Sequence, residues 1–322
     1  MPLLRPRLVR DPLIVLLIAL LLGACGGGGA GDGDGDGDGD GAPVDAALPE
    51  GWQSLLEGDW NLAPGEEGYF CVYATVPRDI DIKAFRPLIP SGTHHTVLTV
   101  YDGASPADGT VRCGVGSNGQ SMIYGSGVGS PDFAFPSGVG LRLTAGTRLL
   151  LNLHLYNSTD EPMTGRSGTL FQEAAPGEVQ HLAELVLAGP TVGLRVPTGT
   201  TTQSGTCRIS SITDEPIQVF ALSQHMHKLG RNLRSVVTRG SETIVLQDVP
   251  YDFEEQSFQL VNPFVELRPG DVLTTHCTYE NTAATNPPSG APVTFGESSD
   301  DEMCFTDLFY FPAQGANFIC SF

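Results

Sequence analysis

The chain has 322 residues, 17 Lys+Arg against 37 Asp+Glu and a formal net charge of −20. Clustered Lys/Arg is what phosphate backbones require, so nucleic acid is excluded as a partner; Lys83 and Lys228 are the only lysines. A hydrophobic content of 40% supports real cores, while 40 Gly, 24 Pro and only 17% charged residues point to short strands and turns rather than long helices. The length suggests about two domains of roughly 150 residues each. Seven cysteines is an odd number and demands a reason.

Residues 1–24 read as an export signal. Arg5, Arg7 and Arg10 precede the apolar run from Pro12 to Leu22, which is too short to span a bilayer. The run ends in Leu22-Gly23-Ala24-Cys25, similar to a bacterial lipobox, in which the Cys is lipidated and becomes the new N-terminus. The expectation is a protein exported and lipid-anchored to the bacterial cell envelope, with the membrane reached through the anchor alone. Residues 25–48 follow as a tether. Its Gly-Asp pairs from Gly31 to Asp40 cannot bury apolar surface, and they repel one another. The remaining cysteines are Cys71, Cys113, Cys207, Cys277, Cys304 and Cys320. An oxidising compartment makes three disulfides the default. Six cysteines allow about 15 pairings. Two before residue 120 and four after 205 suit one bridge in a first domain and two in a second.

Taken in chain order, the folded part shows strand signals and almost no helix. Tyr69–Thr75, His95–Tyr101, Leu141–Leu143, Arg148–Tyr156 and Gly168–Glu173 are short apolar or alternating runs. Ala174-Ala-Pro-Gly-Glu then interrupts the pattern, which sets a boundary between domains 49–175 and 176–322. Ile217–Leu222, Ser235–Thr238, Thr243–Gln247, Phe258–Leu260, Val272–Tyr279 and Leu308–Phe311 continue it, with Gly, Pro, Asn and Asp between them. Strands at this spacing predict an all-β protein of two antiparallel β-sandwiches.

Five of the seven histidines carry information. His225 and His227 are two apart; on a strand both imidazoles would share one face, as a metal pair does, although two solvated histidines would read the same way. Met226 would point to the opposite face. His154 follows Leu149, Leu151 and Leu153 in alternation and falls on the polar-leaning face with Asn152; taken alone it reads as structural. His94 and His95 are adjacent and reach one metal only through irregular backbone, which Ser91-Gly92-Thr93 can supply. Met303 sits among Glu297, Asp300, Asp301 and Glu302, an odd place for a core residue. A thioether there would select copper over zinc, and a partly buried methionine at a strand start is the plainer reading.

Taken together, the ordered set His94-His95, His154, His225-Met-His227 followed by Leu229-Gly230, and Asp301-Glu-Met-Cys304 resembles the copper type II, ascorbate-dependent monooxygenases. The resemblance runs from about Tyr69 to Cys320 and implies two jelly-roll-like sandwiches with a cleft between them. It implies two copper ions per chain: His94, His95 and His154 for electron transfer, and His225, His227 and Met303 for the catalytic, oxygen-binding site. It implies the bridges Cys71–Cys113, Cys207–Cys320 and Cys277–Cys304. The activity implied is hydroxylation of a substrate C–H bond with O2 and ascorbate or another one-electron reductant, by a monomer; the alternative is a non-catalytic copper-binding surface lipoprotein on the same fold.

The substrate, a small molecule or peptide, does not carry over. Peptide-hydroxylating members clamp a carboxylate with an Arg where this chain has Ser223, and with Asn and Tyr where it has Phe305 and Asp307. Asp307 reads as a solvated or hydrogen-bonded structural acid that could also suit a cationic amine. His276 and His181 have no counterpart among the family's ligands; His276 reads as structural or as a support behind a ligand, and His181 as exposed.

Overall fold

The structure, a computed structural model, describes residues 48–103, 106–114, 121–191, 193–288, 290–316 and 319–321. The expected export signal, Cys25 and all of the tether but Leu48 lie outside these residues. Within them the protein is all-β, with one short 3-10 turn at Ile209–Ser211. No described helix is long and apolar enough to cross a membrane.

Strands before and after Ala183 share no sheet. In the first half, Gln53–Leu62, Met163–Glu173, Ile80–Leu88, Val139–Leu143 and His181–Leu182 form one sheet, in that order, with Phe133–Ala134 paired to Ile80–Leu88. Gly109–Arg112, Glu67–Thr75, Arg148–Tyr156, Thr93–Val100 and Ser121–Gly127 form the other. Alternation decides which side chains meet between them: Leu149, Leu151, Leu153 and Leu155 turn into the shared core with Trp60, Phe85 and Leu98, while Asn152 and His154 turn away.

The second half repeats the plan. Gln259–Leu267, Ile217–His225, Phe305–Phe311, Glu184–Ala188 and Ile319–Cys320 form one sheet, and Gly199–Arg208, Val272–Asn281, Gly230–Arg239 and Glu242–Pro250 the other. A two-stranded piece, Arg195–Val196 with Val293–Thr294, completes it. Several strands were not legible as runs, among them Gln53–Leu62, Ile80–Leu88 and Gly199–Arg208; Thr, Gly and charged residues break their apolar pattern.

The halves are joined by an aromatic seam. Phe133 and Phe135 of the first half pack on Phe220, Phe258 and Phe309 of the second, with ring centroids 5.1 Å apart for Phe133–Phe309 and 5.9 Å for Phe135–Phe220. Such pairs add about 0.5–1.5 kcal/mol each beyond the area they bury. Three disulfides staple the fold: Cys71–Cys113, Cys207–Cys320 and Cys277–Cys304, the pairing that the family resemblance implies.

Candidate metal centre

Two adjacent strands bring the first histidine cluster together. His154, on Arg148–Tyr156, lies opposite His95, on Thr93–Val100. The register between these strands shifts between Thr93 and His95, which makes His94 a bulged residue. Gly92, at φ +93°, turns the chain into that bulge. Two neighbours that would point oppositely on a regular strand thus reach the same space. The Nδ1 atoms of His94 and His95 are 2.9 Å apart, and that of His154 is 3.4 Å from His95 Nδ1.

The outer nitrogen of His154 has its own partner. Its Nε2–H donates to Glu67 Oε1 at 2.6 Å, and Tyr69 stacks flat on the ring at 4.5 Å. The carboxylate fixes the tautomer and leaves the Nδ1 lone pair facing the other two rings. His94 Nε2 lies 3.4 Å from Glu254 Oε2 without a hydrogen bond between them.

The second cluster is built differently. The strand Ile217–His225 ends at His225, so His227 lies in the turn beyond it rather than on the same strand face. The rings still meet, with centroids 5.3 Å apart and nearly perpendicular. Met226 is fully buried between them in the chain. His225 Nδ1 is 2.6 Å from Gln256 Oε1, and His227 Nδ1 is 3.1 Å from the Asp301 carbonyl. Both partners accept, so both Nδ1 atoms carry the proton and Nε2 is left as the ligating nitrogen.

Glu302 is the residue that sequence reasoning missed. In the sequence it stands among the acids that make Met303 look out of place, yet it is completely buried. Its two carboxylate oxygens accept the backbone N–H groups of His227 (3.0 Å) and Leu229 (2.8 Å). Burial pushes its carboxyl up to about 7, against the pull of those bonds. One side chain therefore ties the His227 turn to the segment carrying Met303. Tyr279 donates to the Met303 carbonyl at 2.7 Å, and Cys304 is bridged to Cys277 on the strand that holds Tyr279. Gln256 and Glu67 were also unforeseen. Only contacts distant in sequence reveal them.

A cavity of about 300 Å³ opens onto both clusters. His95, His225, His227 and Met303 line it, with Met122, Phe258 and Phe305 as apolar wall. Among its lining residues there is no Lys or Arg. Asp307 lies on this wall, buried, with Oδ2 accepting from Ser223 Oγ at 3.2 Å and Oδ1 without a partner. Burial raises its carboxyl to about 7. His276 bonds Ser204 instead (2.7 Å), and His181 is exposed near Phe311.

Burial holds all five clustered imidazoles below the usual histidine range. For His227 the value falls to about 3. For His95, the neighbouring rings of His154, His94, His225 and His227 add to the effect of burial. Neutral imidazole is the form that binds a metal.

Comparison with known proteins agrees with this geometry. Residues 183–321 match the family model of the copper type II ascorbate-dependent monooxygenase C-terminal domain. Over these residues, and by its relatives beyond them, the chain is similar to the copper type II ascorbate-dependent monooxygenase family. Within that family it is 31% identical over 214 residues to the human DBH-like monooxygenase protein 1, covering 60% of this chain and 33% of that protein. It is 25% identical over 303 residues to dog dopamine beta-hydroxylase, covering 83% of this chain and 46% of that protein. With Xenopus laevis peptidyl-glycine alpha-amidating monooxygenase A the figures are 25% over 258 residues, 76% and 26%. The chain spans a third to two fifths of the length of the DBH-like relatives.

The residues fit the family's metal. Nδ1 separations of 2.9 and 3.4 Å suit nitrogens that each sit about 2 Å from one ion. Imidazole with thioether is a donor set for copper.

Proposed function

We propose that the chain is a copper-dependent monooxygenase that hydroxylates a substrate C–H bond, using O2 and an external one-electron reductant such as ascorbate. One copper would be held by His94, His95 and His154, and a second, the catalytic one, by His225, His227 and Met303. The observation that carries this reading is that both clusters open onto a single apolar cavity. Copper cycling between its two oxidation states supplies the electron transfer and the activation of dioxygen.

The chain's own residues do the rest. Glu67, Gln256 and the Asp301 carbonyl each hold the outer proton of one imidazole, so the opposite nitrogen keeps its lone pair. Met122, Phe258 and Phe305 give the cavity an apolar wall that receives an apolar substrate body. Asp307 lies on the wall of that space with one buried oxygen unpartnered, and no cation lines the wall to receive a substrate carboxylate. This favours a substrate with an apolar body and an amine, in line with relatives named for dopamine and tyramine, over a carboxylate-terminated peptide. An ammonium would give Asp307 the partner that burial denies it.

Copper analysis and reductant-dependent O2 uptake test the reading. Two coppers per chain, and amine-dependent uptake lost in Met303→Ala while one copper remains, are the expected results. Copper binding without coupled uptake across a panel of amines would favour copper storage instead. Two jelly-roll-like domains divided near residue 175, export of a monomer and anchoring through Cys25 form part of the same proposal. Three disulfides suit an oxidising compartment.

A further inference from the structure

The connection 251–258 leaves the edge strand Glu242–Pro250 of one sheet and enters the edge strand Gln259–Leu267 of another. On the way it touches both histidine clusters. The Phe253 ring packs on His94 with centroids 4.6 Å apart, and Glu254 approaches His94 Nε2. Three residues later, the Gln256 amide meets His225. The amide has only one possible orientation. Its Nε2 donates to the Phe253 carbonyl at 2.9 Å, so Oε1 must be the atom facing His225 Nδ1. The same side chain therefore closes the connection on itself and sets the His225 tautomer.

Both ends of the connection are fixed. The Tyr251 hydroxyl donates to the carbonyl of Met226, the residue between His225 and His227. Phe258 is buried in the aromatic seam against Phe133 and Phe309. In the middle, the Gln256 backbone rests on Gly127, whose strand partner is His95; a Cβ on Gly127 would stand 3.8 Å from Gln256 N.

We infer that residues 251–258 form a strap that sets the position of the two clusters relative to one another, with Gln256 as positioning residue for His225 and Phe253 as positioning residue for His94. The inference rests on the reading that both clusters hold copper, and it goes beyond that reading. The separation of the clusters is fixed by a segment that supplies no ligand to either. The strap belongs to the second half but seats on the first, so it couples the halves next to the chemistry, where the aromatic seam couples them through the core.

The test compares wild type with Gln256→Ala, Gln256→Glu and Phe253→Ala. In the metal-free protein, 15N spectra of the histidine rings should show His225 locked with its proton on Nδ1. That signature should be lost in Gln256→Ala and kept in Gln256→Glu, which retains an acceptor. Phe253→Ala should remove the ring-current shift on His94. After loading with Cu(II), the second cluster of Gln256→Ala should bind about 10–100-fold more weakly, with the first unchanged. EPR of the doubly loaded wild type should show dipolar broadening that weakens in Phe253→Ala. An unchanged His225 tautomer in Gln256→Ala, or undiminished broadening in Phe253→Ala, overturns the strap. A copper count below two in wild type counts against the proposed function instead, and the metal-free spectra then decide the strap alone.

Discussion

The two histidine clusters reach similar donor sets by opposite routes. The first is a product of strand register: a bulge at His94 and direct pairing of His95 with His154 place three rings on neighbouring strands of one sheet. The second is assembled across 78 positions of sequence between His225 and Met303, and it needs a buried carboxylate, a disulfide and a strap to hold it. Their outer partners differ as well. His154 leans on a carboxylate, whereas His225 and His227 lean on neutral carbonyls. A carboxylate partner strengthens the imidazole as a donor and favours the more highly charged metal, while neutral partners and a thioether favour Cu(I). Sheet register thus builds the first site from neighbouring strands, and long-range ties make the geometry of the second depend on distant parts of the second half.

The largest expected effect comes from breaking those ties. Glu302→Ala strands two buried N–H groups, at a cost of about 1–3 kcal/mol each. Denaturant unfolding should show a loss of that order, and copper analysis should show one ion lost, from the second cluster only. Equal loss from both clusters would mean that the two are not independently built.

Asp307→Asn should act in the other direction on stability. The folded carboxyl is raised to about 7 from an unfolded value of 3.8, so the folded state binds more protons between those values. Wild-type stability therefore falls as pH rises through this window. The variant should match wild type below about pH 4 and exceed it by a few kcal/mol above about pH 7. Amine binding should weaken in the same variant; a variant no more stable at pH 8 than at pH 4, relative to wild type, refutes the account of Asp307.

Replacing Cys277 and Cys304 with serine should cost about 2–4 kcal/mol and lower copper retention at the second cluster more than at the first. Thermal melts with and without copper would separate the two effects. The smallest change expected is Glu67→Gln, which keeps the ring position but weakens the acceptor. Global stability should hold, because Glu67 is half exposed. Copper affinity at the first cluster should fall about tenfold, with the second unaffected.

The contrast between the clusters also marks where the sequence stops being readable. The first was legible to the level of backbone: Ser91-Gly92-Thr93 announced irregularity before His94, and alternation along Leu149–Leu155 put His154 on the correct face. The second was legible as candidate residues and not as a construction. Ending the strand at His225 is a tertiary outcome that local pattern does not encode. Glu302 looked like one more surface acid because four acids crowd that stretch, and only its distant partners His227 and Leu229 give it a buried place. The hydrogen-bonded reading of Asp307 holds through Ser223, its solvated reading does not, and the missing partner for its second oxygen is visible only in the folded structure.

The aromatic seam has a consequence for how the molecule can be taken apart. A cut at Ala183 would bare Phe133 and Phe135 on one fragment and Phe220, Phe258 and Phe309 on the other. Each fragment would carry a greasy wound with no native cover, so the halves are not interchangeable modules. Co-expression of 48–182 and 184–322 should yield soluble protein only as a re-associated pair, and grafting one half onto a foreign partner would require the seam to be rebuilt ring by ring.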